Sequence, residues 1–188
     1  MTNNLKIALI VFGLLLILLI INNNKQNSFI SQSNQIFEKN ANDIQKILIQ
    51  KNNEAIELIQ VDTTWHISGN DSLMIKERSL ESFFDRVLTV NRETLISGNP
   101  EKYDKFAISD SLGTHLALIN SQNETIAYYV FGRSNTDYSR SYVRIGNDPN
   151  VYLTDQNVSY MLNTQETYWG EIPKENIEIP QPLDPIQK

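Results

Sequence analysis

The chain has 188 residues, 40% of them hydrophobic, and carries 16 lysines and arginines against 22 aspartates and glutamates, for a formal net charge of −6. A surplus of acid excludes a nucleic-acid partner, because neutralising phosphates requires a basic surface. The absence of cysteine excludes disulfides, thiolate metal sites, a cysteine nucleophile and a lipid-modified N-terminal cysteine.

Residues 5–21 are apolar except for Lys6. At about 1.5 Å per residue a helix of that length spans roughly 25 Å, close to the hydrocarbon thickness of a bilayer. The run ends in Ile20-Ile21-Asn22-Asn23-Asn24, without the small residues at which a signal peptidase cuts. Residues 1–21 are therefore read as a retained, single-pass anchor in the cytoplasmic membrane. The short leading tail with Lys6 is assigned to the cytoplasm and the domain to the extracytoplasmic (periplasmic) side. Residues 22–42, rich in asparagine, glutamine and serine, read as a polar tether whose one apolar patch, Ile36-Phe37, marks where the chain docks on the domain.

The soluble domain is assigned to residues 43–172. Residues 44–50 and 54–61 flank Asn52-Asn53, and asparagine tolerates the positive φ of tight turns, so a β-hairpin is predicted. A short strand around Trp65 follows. Leu80, Phe83, Phe84, Val87 and Leu88 then recur with helical spacing, which predicts a helix with its apolar stripe on the sheet and Ser79 as N-cap. Residues 93–97 read as a strand, and Asn99-Pro100-Glu101 as a capped helical turn presenting Tyr103 and Phe106. A second hairpin is predicted from residues 114–120 and 124–131, with apolar side chains on both faces of its second strand. Two more strands are read at residues 140–145 and 151–154, and a short helix capped by Asp155 through Val158, Met161 and Leu162. Residues 173–188, with Pro180, Pro182 and Pro185, form an extended proline-rich tail. The order predicts an α+β domain: a mostly antiparallel sheet of hairpins with two covering helices, preceded by one N-terminal transmembrane helix. Asn53-Glu54-Ala55-Ile56 and Asn123-Glu124-Thr125-Ile126 occupy matching places in the two hairpins, which raises an internal duplication as one reading and shared turn chemistry as the other.

No stretch carries a recognisable catalytic or cofactor motif. His66 and His115 are the only histidines, and neither has a carboxylate at metal-ligand spacing. Asp110, Ser111 and His115 supply the letters of a hydrolase triad, but triads are defined by geometry and these residues are common in turns. Gly132-Arg133-Ser134 lacks the further glycines and lysine of a phosphate loop, and Asp137, Asp148 and Asp155 do not make a calcium loop. Asn70-Asp71-Ser72, Asn123-Glu124-Thr125 and Asn157-Val158-Ser159 match the glycosylation acceptor pattern, which arises by chance in so asparagine-rich a chain. One constellation stands out. Arg140, Tyr142 and Arg144 alternate along a strand and so share a face, with Arg133 entering the same loop. A basic, aromatic patch of this kind suits an envelope protein or an anionic ligand. The competing reading is a solvated face whose arginines cover tyrosine rings.

Thr64-Trp65-His66-Ile67, the helix over residues 80–88, Ser97-Gly98-Asn99-Pro100-Glu101-Lys102-Tyr103, Val130-Phe131-Gly132, Ser141-Tyr142-Val143-Arg144 and Asn150-Val151-Tyr152-Leu153 occur in an order that resembles the family of domain of unknown function 4340. Phe106-Ala107-Ile108 departs from the family's pattern by lacking a glycine. The resemblance spans about residues 44–162. It implies a bacterial envelope protein with one N-terminal membrane helix, no established activity, no defined catalytic residues, and relatives among accessory components of ABC-type transport systems. The chain is accordingly expected to be a membrane-anchored binding or assembly module without catalytic, cofactor or metal residues. The alternative is an exported enzyme whose site is assembled from scattered residues.

Overall fold

Residues 34–134 and 136–173 are described by the computed structural model. The anchor predicted over residues 1–21, the tether over residues 22–33 and the tail from residue 174 lie outside them. Among the described residues no helix is long and apolar enough to cross a membrane.

The first hairpin forms as its turn residues dictate. β1 (Lys46–Lys51) and β2 (Glu54–Val61) pair around Asn52, which takes φ of 54°, a value asparagine adopts at little cost. β3 (Thr64–Ile67) adds to β2. The second hairpin, β6 (Thr114–Ile119) and β7 (Thr125–Arg133), pairs with β1 through β6, and β8 (Ser141–Ile145) and β9 (Val151–Thr154) follow as a meander. With β5 (Arg92–Ser97) against β9, these make one eight-stranded antiparallel sheet in the order β3-β2-β1-β6-β7-β8-β9-β5. A separate ribbon joins β4 (Met74–Ile75) to β10 (Gly170–Glu171).

Two crossovers close the sheet, one on each face. From the edge strand β3 the chain passes through β4 and α1 (Glu77–Ser82) into a π-helical turn, Phe83–Val87, before entering β5 at the opposite edge. The wider turn, in which the Leu88 amide donates to the Phe83 carbonyl, directs Phe83, Val87 and Leu88 inward together. They pack on Ile47 and Ile49 of β1, Ile56 and Leu58 of β2, and Leu116 and Leu118 of β6, all buried. In register, Ile47 lies opposite Leu58 and Leu118, and Ile49 opposite Ile56 and Leu116. From β5 the chain returns across the second face. Two 3-10 turns, Pro100–Lys102 and Asp104–Phe106, carry Phe106 and Ile108 onto Val130 and Val151 in a smaller core. β7 is thus covered on both sides at its C-terminal half, as its double apolar pattern predicts.

Several expectations are corrected. α1 begins at Glu77, with Lys76 at its cap position making no side-chain cap bond. Ser79 sits inside the first turn instead, and its hydroxyl donates to the Tyr168 carbonyl. The helix predicted through Val158, Met161 and Leu162 does not form, so only one of the two expected covering helices is present. Those three side chains are buried all the same, on turns. Asn157 accepts from the Ser159 amide and the Ser141 hydroxyl, while the Val158 amide donates back to Ser141. Such side-chain bonds compete with helical ones. Asp155 caps nothing and instead accepts from the Asn91 amide and side chain. A helical turn not predicted, α2 (Glu166–Trp169), delivers Trp169, the largest fully buried side chain. The docking expected of Ile36-Phe37 is observed: both are buried on the domain, and the Ile36 carbonyl accepts from the buried Tyr129 hydroxyl. Both halves begin as meanders, yet the four-residue match is not equivalent in space. Glu54 pairs with Lys51 at a tight turn, whereas Glu124 lies in a longer one organised by the Asn120 side chain.

Candidate functional site

The second face is where polar chemistry collects. Gly132 allows it, since a β-carbon there would lie 2.1 Å from the Phe106 carbonyl oxygen and 2.6 Å from the Ile108 side chain. The crossover backbone therefore rests directly on β7 at Gly132. Ala107 takes φ of 51° to turn the chain over this point, and Phe106 meets the Tyr142 ring edge-on at 5.0 Å.

Arg144 and Asp110 tie the crossover down. The Arg144 guanidinium lies 5.0 Å over the Tyr103 ring and pairs with the Asp110 carboxylate at 3.0 Å, and its side chain is 15% exposed. Its Nε is buried without a partner. Asp110 also offers its backbone carbonyl to His115 Nε2 at 3.0 Å, while His115 Nδ1 lies 2.6 Å from the Tyr128 hydroxyl. The geometry assigns the proton to Nε2, which donates to the carbonyl, leaving Nδ1 to accept from tyrosine. Burial pushes the Tyr128 hydroxyl above its ordinary pKa, Arg144 opposes that shift and Asp110 adds to it. Beside this cluster is a small cavity of about 350 Å³ lined by Glu101, Tyr103, Asp104, Ser109, Asp110 and Arg144. A larger one, about 720 Å³, lies between residues 35–39 and the β7 and β8 ends, with Tyr128, Tyr129 and Arg92 in its wall.

The four residues singled out from sequence are not gathered into one patch. Tyr142 and Arg144 belong to the cluster under the crossover. Arg140 precedes β8 and pairs with Glu93 on β5 at 2.6 Å and with Asp137 at 3.3 Å. Arg133 stacks over Tyr138 at 5.2 Å. The triad letters do not assemble either: Asp110 reaches His115 through its carbonyl, and the Ser111 hydroxyl is 3.5 Å from Ser109. His66 is exposed on β3. Among the described residues no group of three or more histidines, cysteines or acids could hold a metal ion.

The feature that sequence reasoning passed over is the part of the second face left uncovered. On β2, β1 and β6 the residues alternating with the core are Ile59, Lys46 and Ile119 in one row, and Glu57, Leu48 and Ala117 in the next. Leu48, Ile59, Ala117 and Ile119 are half-buried and belong to neither apolar cluster. Val61, on the same side, is 51% exposed. The signal was legible: Leu48 is an apolar residue between Lys46 and Gln50 on what should be a solvent-facing period of two.

Comparison with protein families finds that the model described as Domain of unknown function (DUF4340) matches residues 65–171. No curated protein matches, and no solved structure does.

Proposed function

The chain belongs to the DUF4340 family, and from that premise we propose that it is a membrane-anchored, extracytoplasmic binding or assembly module of a bacterial envelope rather than an enzyme. The open part of the second face is its contact surface, and membrane components of an ABC-type transport system are the first partners to test. The observation that carries this reading is the pair of rows Ile59–Lys46–Ile119 and Glu57–Leu48–Ala117, where apolar side chains lie outside both cores. A sheet face that presents leucine and isoleucine between charged residues gains by burial against a partner, at about 25 cal/mol per Å² of apolar surface removed from water. The crossover ends at this face, so the Asp110–His115–Tyr128 cluster forms its rigid border.

The test is site-specific photocrosslinking in intact cells, with a photoreactive residue in place of Leu48 or Ala117 and, as control, of exposed Glu101. Discrete membrane-protein adducts from the two sheet positions, absent from the control, are expected. Adducts from Glu101 alone, or none from the sheet positions in folded, membrane-associated protein, would return this face to ordinary solvated surface.

A further inference from the structure

A different region, the free edge of β3, carries an inference that does not depend on the open face. β3 is the terminal strand of the eight-stranded sheet. Its pairing puts His66 opposite Ile59, and the Ser68 amide donates to the Glu57 carbonyl. In an antiparallel ladder alternate residues turn their amides away from the partner. The Trp65 amide and carbonyl and the Ile67 amide therefore point outward from the edge, where no described residue pairs with them. Sheet edges are docking sites for an added strand where proline, inward charge or a bulge does not blunt them; β3 has none of these three, but it is only four residues long and β4 runs close beside it.

Beside this edge runs a groove of about 450 Å³ with Thr64, Trp65, Leu73, Met74, Ile75 and Leu80 in its walls. Met74 is 58% exposed. Trp65 packs its ring edge-on against Phe84 at 5.9 Å, while its indole N–H has no acceptor among the described residues. The charged side chains of the groove are Asp71 and Glu77, and no lysine or arginine lines it. Lys76, between them in sequence, is turned away with its Nζ on the Thr167 carbonyl at 2.6 Å. Asp62 adds another acid at the turn before β3. An unpaired strand edge, an apolar trough and an acidic rim together specify an occupant.

We propose that this groove binds an extended peptide segment of another protein, added to β3 as a further strand, with apolar residues facing Trp65 and Leu73 and lysine or arginine meeting Asp71 and Glu77. Main-chain bonds to Trp65 and Ile67 supply affinity, and the alternating side chains supply selectivity. Charge argues against the two other occupants. A second copy of this chain brings a net charge of −6, and the chain's own residues 174–188 set Glu175, Glu178 and Asp184 against only Lys174 and Lys188, so they bring a slight surplus of acid to an acidic rim.

The probe is a short capped peptide alternating valine and lysine, set against its valine–glutamate counterpart and a copy N-methylated at alternate amides. Each is titrated into the full chain in detergent and followed by intrinsic tryptophan fluorescence, to which groove-lining Trp65 and buried Trp169 both contribute, with amide hydrogen exchange on the bound state to locate the site. The lysine peptide is expected to bind, with slowed exchange at Trp65 and Ile67, while the glutamate and N-methylated peptides bind at least about tenfold more weakly. Asp71→Asn with Glu77→Gln, both exposed, with only the modest helix-terminus contribution of Glu77 to folding removed, should weaken the lysine peptide about three- to tenfold. Equal binding of lysine and glutamate peptides, insensitivity to N-methylation, or protection at β5 in place of β3 would overturn the proposal. Binding that appears only after residues 174–188 are removed would also overturn it, by giving the groove to the tail.

Discussion

Trp169 and Gly132 secure opposite faces of the same sheet, one by filling space and the other by leaving it empty. On the main face, α1, its π-helical continuation and α2 bury large side chains on β1, β2 and β6, and Trp169 meets Phe83 at 6.1 Å while its indole N–H donates to the Asn163 carbonyl at 2.7 Å. On the second face the covering element is a chain of tight turns that touches β7 with its backbone, held by ring contacts, one ion pair and the hydrogen bond from His115 Nε2 to the Asp110 carbonyl. A core built from side-chain volume tolerates exchange among apolar residues of similar size. A contact built from backbone approach tolerates no added atom. The main face therefore sets global stability, and the second face sets the position of the crossover that borders the open surface.

Removing Trp169 is the stronger break. Trp169→Ala should cost about 3–5 kcal/mol, a large share of the roughly 5–15 kcal/mol typical of a domain. Chemical denaturation of the full chain in detergent measures it, and a loss below about 1 kcal/mol would deny α2 its part in the core. Trp65→Ala should cost less, because Trp65 is half-buried at the sheet edge. Gly132→Ala acts on the other face. The new methyl meets the Phe106 carbonyl oxygen, which no rotamer change relieves, so the cost should be about 1–3 kcal/mol. Its mark should be local as well: faster hydrogen exchange in the crossover, residues 103–113, with β1 and β2 unchanged. A Gly132→Ala protein as stable as its parent, with the crossover equally protected, would mean that the backbone contact is not what holds the second face.

Legibility in the sequence follows the same division. The strands β1, β2, β3, β5, β6, β7, β8 and β9 were readable within a residue or two, because period-two alternation and asparagine turns are local signals. Phe83 and Val87 announced the main face through helical spacing, though not the widened turn that brings Leu88 in beside them. Val158, Met161 and Leu162 carried a similar spacing and misled, since the deciding bonds come from Ser141, far along the chain. Trp169 gave no periodic signal, standing in a single helical turn. The cluster of Asp110, His115, Tyr128 and Arg144 depends on a crossover passing over β7, a tertiary event that spacing does not encode. Arg140 and Arg144 looked alike on a period-two strand and part company only because Glu93 and Asp110 lie on different elements.

Tyr128 and Tyr129 are neighbours on β7 that point to opposite faces, and the smallest expected effect comes from comparing them. The Tyr129 hydroxyl donates to the Ile36 carbonyl at 2.9 Å in a buried setting, tying the entering chain to the main core. Tyr129→Phe should cost about 1 kcal/mol at neutral pH, the net worth of one such bond. Burial, with Glu38 adding to it, holds the Tyr129 hydroxyl well above the ordinary tyrosine pKa. The unfolded chain ionises this group as pH passes about 10, while the folded chain keeps it protonated. Its contribution is therefore fully present below about pH 10 and lost as pH rises from there toward the folded pKa. Phenylalanine has no proton to lose, so the advantage of the parent over Tyr129→Phe should shrink above about pH 10. The other tyrosines, including Tyr128, titrate alike in both proteins and cancel in the difference. Tyr128→Phe should change the alkaline limb less, because that hydroxyl is only half-buried and Arg144 opposes the upward shift. Urea unfolding of parent and both variants, from neutral pH to beyond the tyrosine range, makes the comparison. A gap between parent and Tyr129→Phe that stays constant with pH would show that the Tyr129 hydroxyl ionises as readily in the folded chain as in the unfolded one, and that the entering chain does not seal this part of the core.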